Sequence, residues 1–143
     1  MVVVMQIRSF KPADEDAVVD LWRRCGLLRP WNDPHKDIAR KLSVQPEWFL
    51  VGTIDDQIIA TVMAGYDGHR GWINYLAVAP HYRRKRFGRA IMAEAERLLR
   101  DFGCPKINLQ IRRDNLGAIR FYERIGFSED AAVSYGKRLL PDD

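Results

Sequence analysis

Val78-Ala-Pro-His-Tyr-Arg-Arg-Lys-Arg-Phe-Gly-Arg-Ala90 is the stretch on which the fold of this chain turns. Five of the seven residues from Arg83 to Arg89 are cationic, and Gly88 sits among them. The run before it, Trp72–Val78, is apolar on both of its alternating sides, the pattern of a central strand covered by helices. After it, Ile91, Ala95, Leu98 and Phe102 recur at 4-3-4 spacing with Met92 and Leu99 beside them, which predicts an amphipathic helix. Strand, basic glycine-containing loop and helix follow in that order. Backbone N–H groups at such a helix start, ringed by arginines, form a seat for phosphate.

The rest of the chain makes this cluster a local feature. The net charge is +4, but without the five cations of 83–89 the chain carries 18 basic and 19 acidic residues. That distribution favours one discrete anionic ligand over a nucleic-acid surface spread along the chain. The two cysteines, Cys25 and Cys104, show neither a disulfide framework nor metal-ligand spacing, so we expect free thiols, no metal and a cytoplasmic protein. The opening MVVVMQIRSF lacks the long apolar core of a signal peptide, and no run approaches the ~20 apolar residues that span a bilayer. At 143 residues a single domain over 1–143 is expected.

Working outward, Val2–Arg8 reads as a first strand. Pro12 opens a helix with acids in its first turn and Arg23 and Arg24 in its last. Val18, Leu21, Trp22 and Cys25 share one of its faces, and Gly26 ends it. Leu27–Pro34 is a loop carrying Trp31. Asp33-Pro34 then caps and starts a short helix that Pro46 stops. Trp48–Ile54 and Ile58–Tyr66 are strands around an Asp55-Asp56-Gln57 turn. Asp67–Gly71 is a polar turn. Beyond the long helix, Gly103 is a cap and Lys106–Ile111 alternates as a strand. Asn115 caps a last helix bearing Ala118, Ile119, Tyr122 and Ile125, Gly126 ends it, and Phe127 with Val133–Leu139 supplies final strand material. The predicted order is β-α-α-β-β-β-α-β-α-β, a mixed α/β sheet with helices on both faces.

These residues resemble the GNAT superfamily of acetyl-CoA-dependent N-acetyltransferases over nearly the whole chain. Arg83-Arg84-Lys85-Arg86-Phe87-Gly88 falls on the superfamily's Q/R-x-x-G-x-G/A acyl-CoA motif, and Asn115 to Phe127 is similar to its N-x-x-A-x-x-x-Y-x-x-x-G-F motif. Arg29–Pro34, Gly65–Gly71 and Gly103–Ile107 resemble the YpeA-type branch. The resemblance implies a splayed, mostly antiparallel sheet and acetyl-CoA as co-substrate. It also implies transfer of the acetyl group to a primary amine of a small molecule, peptide or protein. An alternative is a non-catalytic acyl-CoA-binding regulatory module. No nucleic-acid or membrane partner is implied, and monomer and homodimer are both compatible with it. One position departs from the motif: Arg86 stands where the family has its first glycine. Because Gly88 is intact, an ordinary right-handed backbone is expected at Arg86.

The chemistry then distributes over named positions. On the resemblance, N–H groups and side chains of Arg83, Arg84, Lys85, Arg86, Phe87, Gly88 and Arg89 cradle the pyrophosphate. Backbone groups of Leu76, Ala77 and Val78 meet the pantetheine arm and polarise the thioester carbonyl. Asn115 approaches the same arm. Tyr122 stands at the general-acid position for the departing thiolate. The attacking amine must be neutral, and deprotonating a lysine-like amine at pH 7 costs about 4.6 kcal/mol. Many family members place a glutamate on the strand before the loop; none stands between Trp72 and Val78. Asp67 and His69 are the nearest candidate bases, followed by Asp33 and His35. Trp31, Asn32, Asp33, Asp67, His69 and Arg70 are the residues expected to meet the acceptor.

Overall fold

The computed structural model describes residues 3–142. Val2, expected in the first strand, lies outside the described residues. That strand, β1, is short, Gln6–Ser9. A 3-10 turn at Pro12–Asp14 follows, with Pro12 at its first position. Asp14 Oδ2 accepts the Lys11 N–H at 2.8 Å, and Arg8 grips both carboxylate oxygens at 2.8 and 3.0 Å. Helix α1 (Glu15–Arg24) then buries Val18, Val19, Leu21 and Trp22. Helix α2 (Pro34–Lys41) is capped by Asp33, whose side chain accepts from the His35 and Lys36 N–H groups. It ends at Lys41; Pro46, expected as its stop, opens a separate 3-10 turn, Pro46–Trp48.

Strands β2 (Phe49–Ile54) and β3 (Gln57–Tyr66) form a hairpin. Asp55 and Asp56 both take positive φ, 50° and 62°, the two-residue turn whose twist matches the strands. Strand β4 (Gly71–Val78) pairs antiparallel with β3, and β5 (Ile107–Leu109) pairs parallel with β4. The sheet order is β1-β2-β3-β4-β5. Helix α3 (Phe87–Phe102) bridges β4 and β5, and α4 (Leu116–Arg124) follows β5. Trp22, Phe49 and Tyr75 stack on the α1 side of the sheet. Val78 faces α3 and α4 on the other, where it and Phe121 hem in Gly88.

Three expectations need correction. No strand follows α4 among the described residues, so the sheet has five strands where six were predicted. Val133, Tyr135 and Leu139 are 80%, 92% and 84% exposed. The tail does run beside β5, but side chains hold it there: Lys106 and Asn108 bind Asp130, and Gln110 binds Ser134. Alternating apolar residues form a strand where they have a face to bury; here Lys106, Asn108 and Gln110 hold the tail through polar side-chain bonds and its apolar residues stay exposed. The strand expected at Lys106–Ile111 contracts accordingly to Ile107–Leu109. Phe102, placed on the buried face of α3, is 62% exposed and meets Trp48 and Tyr66 edge-on.

Candidate active site

Strand β4 is released from β3 at a fixed point. Ala79 N–H donates to Ile59 O at 2.8 Å, and a 3-10 turn at Pro80–Tyr82 carries the chain away. Arg83 is extended and its Nε donates back to Val78 O at 3.0 Å, so its guanidinium braces the loop against the strand it leaves. Arg84 and Arg86 both take positive φ, 62° and 68°. The expectation of a right-handed Arg86 is therefore wrong. It is the left-handed residue immediately before α3, with ψ 14° and no side-chain cap. A side chain there costs about 1 kcal/mol or more, because Cβ crowds the carbonyl in the left-handed region. The same conformation turns the chain so that Phe87, Gly88 and Arg89 enter the helix with N–H groups that have no intrahelical acceptor. The side chains of Arg84, Lys85, Arg86 and Arg89 make no hydrogen bond or ion pair with another described residue; the Arg86 carbonyl accepts the Ala90 N–H at 3.0 Å. Four cations thus stand unpaired around a helix N-terminus.

Gly88 is buried, and a side chain there would be crowded. A Cβ would lie 3.3 Å from the Phe121 ring of α4 and 3.4 Å from Val78 Cγ2 of β4. The missing side chain lets α3, α4 and β4 converge beside the loop.

The sheet opens at this end. Strand β5 pairs with β4 only from Gly71–Ile107 to Ile73–Leu109. Gly71 permits that contact, since a Cβ on it would meet Cys104 Sγ at 2.8 Å. Past Ile73 one edge of β4 faces a gap. There the strand is also bulged: its register against β3 shifts between Thr61 and Met63, and Tyr75 takes φ 53°. A buried hydroxyl holds the bulge. Thr61 Oγ1 accepts from Trp22 Nε1 at 2.9 Å and donates to Tyr75 O at 2.8 Å. Ala77 is buried, while Leu76 and Val78 are half-buried. Besides Arg83, Cys25 Sγ bonds to Val78 O at 3.3 Å.

Helix α4 supplies the far wall. Asn115 Oδ1 accepts the Ala118 N–H at 3.1 Å, the expected N-cap. Tyr122 packs edge-on against Phe121 and Phe127, and burial pushes its phenol up to about 12. It holds its proton across the physiological range.

On the α1 side, Trp31 is half exposed, with the Arg112 guanidinium 5.3 Å over its ring. Asn32 Oδ1 accepts from Arg138 at 2.7 Å, and Asp33 N–H donates to Asp142 at 2.8 Å. Arg138 and Asp142 thus close the tail over the α1–α2 loop. Between that loop, Gln110 just after β5 and the tail lies a cleft of about 650 Å³.

The Asp67–Arg70 turn lies elsewhere. It joins β3 to β4 on the far side of the β4–β5 pairing, the closed end of the gap. From His69 to Tyr75 is six residues, or ~20 Å of strand at about 3.3 Å each. The structure therefore does not bring Asp67, His69 or Arg70 to the basic loop. Asp67 Oδ1 accepts the Arg70 and His69 N–H groups at 2.7 and 2.8 Å, and Oδ2 accepts from Trp72 Nε1. Those bonds hold its carboxyl down to about 2, too weak a proton acceptor for a base. Its role is to fold the turn.

Sequence reading missed Asp37 and Tyr75. Tyr75 Oη donates to Asp37 Oδ2 at 2.7 Å, and Arg40 holds Asp37 Oδ1 at 3.0 Å. Burial first, and then Asp37, raise the Tyr75 phenol far above its ordinary value. The one available signal was a tyrosine in an otherwise apolar central strand, since the partner is 38 positions distant.

The sequence model of the acetyltransferase (GNAT) family matches residues 15–127. A protein named acetyltransferase from Pectobacterium atrosepticum is 46% identical over 138 residues, covering 96% of this chain and 98% of the relative. The ribosomal-protein-S18-alanine N-acetyltransferase of Escherichia coli superposes with a TM-score of 0.75 at 25% identity, over 90% of this chain and 80% of that one. The PaiA N-acetyltransferase of Thermoplasma acidophilum, solved in complex with coenzyme A, gives a TM-score of 0.78 at 18% identity over 91% and 93%, a likeness of fold. With a bulged β4, a sheet that opens beside it and a basic loop at the start of α3, this chain belongs to the acetyltransferase (GNAT) family of acyltransferase enzymes.

Proposed function

We propose that this protein is a cytoplasmic, acetyl-CoA-dependent N-acetyltransferase. It transfers the acetyl group directly to a primary amine of a small molecule, peptide or protein within a ternary complex. The observation that carries the reading is the left-handed Arg84/Arg86 loop, which sets unpaired cations and free N–H groups where the gap between β4 and β5 opens. That donor set fits a pyrophosphate: each charge-assisted bond contributes roughly 1.5–3 kcal/mol, and the helix dipole about 0.3–1 kcal/mol. Within the family, the stretches Arg29–Pro34, Gly65–Gly71 and Gly103–Ile107 support assignment to a YpeA-type branch.

Phe87, Gly88 and Arg89 offer N–H groups to the phosphates, and Arg84, Lys85 and Arg86 offer charge. Arg83 holds the loop in place. The bulged backbone at Leu76, Ala77 and Val78 lines the pantetheine arm, with Asn115 opposite. The amine nitrogen attacks the thioester carbonyl carbon, the C–S bond breaks, and the amine's proton leaves to solvent. Tyr122 donates a hydrogen bond to the sulfur as charge develops on it. With its phenol near 12 against a thiol near 8.5, full proton transfer runs uphill, so the hydrogen bond itself is the stabilising element. Trp31, Asn32 and Asp33 edge the acceptor entrance.

Thermal unfolding with acetyl-CoA, CoA and dephospho-CoA tests the donor site. Saturation at a hundred times the dissociation constant adds about 2.7 kcal/mol of stability. No shift with any of the three would remove both this reading and that of a regulatory acyl-CoA-binding module. Binding without turnover across amines and peptides would leave the regulatory module standing.

A further inference from the structure

We infer that the acceptor carries an anionic group as well as its amine: the cleft beside Trp31 is built for an amine whose other end is a carboxylate. This inference rests on the acetyltransferase reading and names the substrate class for it.

Charge is unevenly distributed in the cleft of about 650 Å³. Its walls hold Arg40, Lys137 and Arg138 against a single lining carboxylate, Asp142. That carboxylate is not available to a ligand. Its side chain is 3% exposed, pinned by Arg40 and by the Asp33 N–H, with Arg138 at 4.0 Å. The neighbouring acids are also committed. Asp37 bridges Arg40 and Tyr75, and Asp33 caps α2. The cations, by contrast, keep their outer surfaces: Arg40 and Arg138 side chains are 53% and 44% exposed. Lys137 is exposed and pairs with no described residue. A fourth cation, Arg112, covers the half-exposed Trp31 ring at the rim.

A ligand entering here meets a net positive charge, with Lys137 unpaired among the described residues, beside a flat apolar surface. A second ammonium group on the acceptor would be repelled at close range, whereas a carboxylate gains charge-assisted bonds. Trp31 suits the carbon stem between the two ends. Gln110, which follows β5, carries the lining toward the gap between β4 and β5, where the acetyl group is to be delivered. The amine therefore points inward and the anion remains at Lys137.

The test compares kcat/KM for matched acceptors by release of CoA thiol: 6-aminohexanoate, its amide and 1,6-diaminohexane; phenylalanine and phenylalanine amide; and O-phosphoethanolamine as a phosphate-bearing arm. Carboxylates are expected to exceed their amides at least tenfold, with the diamine slowest and the preference shrinking as salt rises. In Lys137→Glu and Arg112→Glu the carboxylate-to-amide ratio should fall at least tenfold while the acetyl-CoA melting shift persists. A phosphate acceptor faster than every carboxylate would overturn the assignment of the anion. Equal rates for acid and amide, a faster diamine, or no turnover of any anionic amine by protein that acetyl-CoA stabilises would overturn the inference while sparing the donor site. Absence of the acetyl-CoA shift would remove the donor site, and the inference with it.

Discussion

The Tyr75 hydroxyl donates to Asp37 across 2.7 Å, joining the left-handed residue of the β4 bulge to helix α2. From Asp37 the contacts continue through Arg40 to Asp142 near the end of the tail. The backbone that lines the proposed thioester site and the segment that roofs the acceptor cleft are thus linked by consecutive side-chain bonds. Tyr75→Phe keeps the stack on Trp22, 3.8 Å between ring centroids, and removes only the first bond. It should cost about 1 kcal/mol in denaturant unfolding, with Asp37 still held by Arg40. An unchanged midpoint would show that the link bears no load.

Thr61 is the other support of the bulge. Thr61→Val keeps the shape but strands the Trp22 indole N–H in the core, since Thr61 is 0% exposed. The expected loss is about 1–3 kcal/mol of unfolding free energy. Acetyl-CoA affinity should fall as well, because the Tyr75 carbonyl loses its donor. Destabilisation without any change in affinity would separate the bulge from the donor site.

Arg86→Gly relieves a left-handed side chain. Protein without ligand should gain about 1 kcal/mol, or ~2–4 °C in Tm, offset in part by the greater entropy of glycine in the unfolded chain. The same change removes a cation, so acetyl-CoA should bind more weakly. A loss of stability would mean that the Arg86 side chain makes a compensating contact.

For Tyr122→Phe, kcat for acetyl transfer should fall by roughly 10²-fold, the range for a lost transition-state donor. Acetyl-CoA binding should persist, because the Phe121 and Phe127 packing remains. Since the phenol lies near 12, the wild-type rate should show no descending limb from Tyr122 below about pH 10. An unchanged kcat would exclude this hydroxyl from the chemistry.

His35 Nδ1 lies 2.6 Å from Glu15 Oε2, tying α2 to α1, and Glu15 raises the imidazole pKa above 6.5. A folded pKa above the unfolded one gives stability that is fully present below pH 6.5 and lost as pH rises through the raised value. The pair is exposed, so the effect is small. Relative to Glu15→Gln, the wild type should melt about 1–2 °C higher at pH 6 and at the same temperature near pH 9. A gap that persists at pH 9 would show that the contact does not depend on the imidazolium.

Much of this fold was legible because its signals are local. Asp33 and Asn115 cap the helices they precede, Gly103 and Gly126 turn left-handed after α3 and α4, and the Asp55-Asp56 turn closes the hairpin as expected. The basic loop was legible for the same reason, as sequence neighbours became spatial neighbours. What escaped was set by distant partners. Nothing near Tyr75 announces Thr61 or Asp37. Arg86 takes a left-handed conformation that favours glycine because β4 and α3 fix the path between them, overriding its own preference. The Asp67 turn was correctly read as polar, but its place at the closed end of the gap follows from where β5 pairs. The tail shows strand alternation yet lies along β5 on side-chain bonds, a choice made by Lys106, Asn108 and Gln110.

Gly88 has a consequence for how this protein can change. With 3.3 Å between its absent side chain and the Phe121 ring, the start of α3 and α4 mesh like gear teeth. A methyl group at 88 would press on Phe121, the residue beside Tyr122, so a change at the basic loop would be felt in α4. A residue larger than glycine at 88 should therefore be better tolerated beside a smaller side chain at 121 than beside phenylalanine.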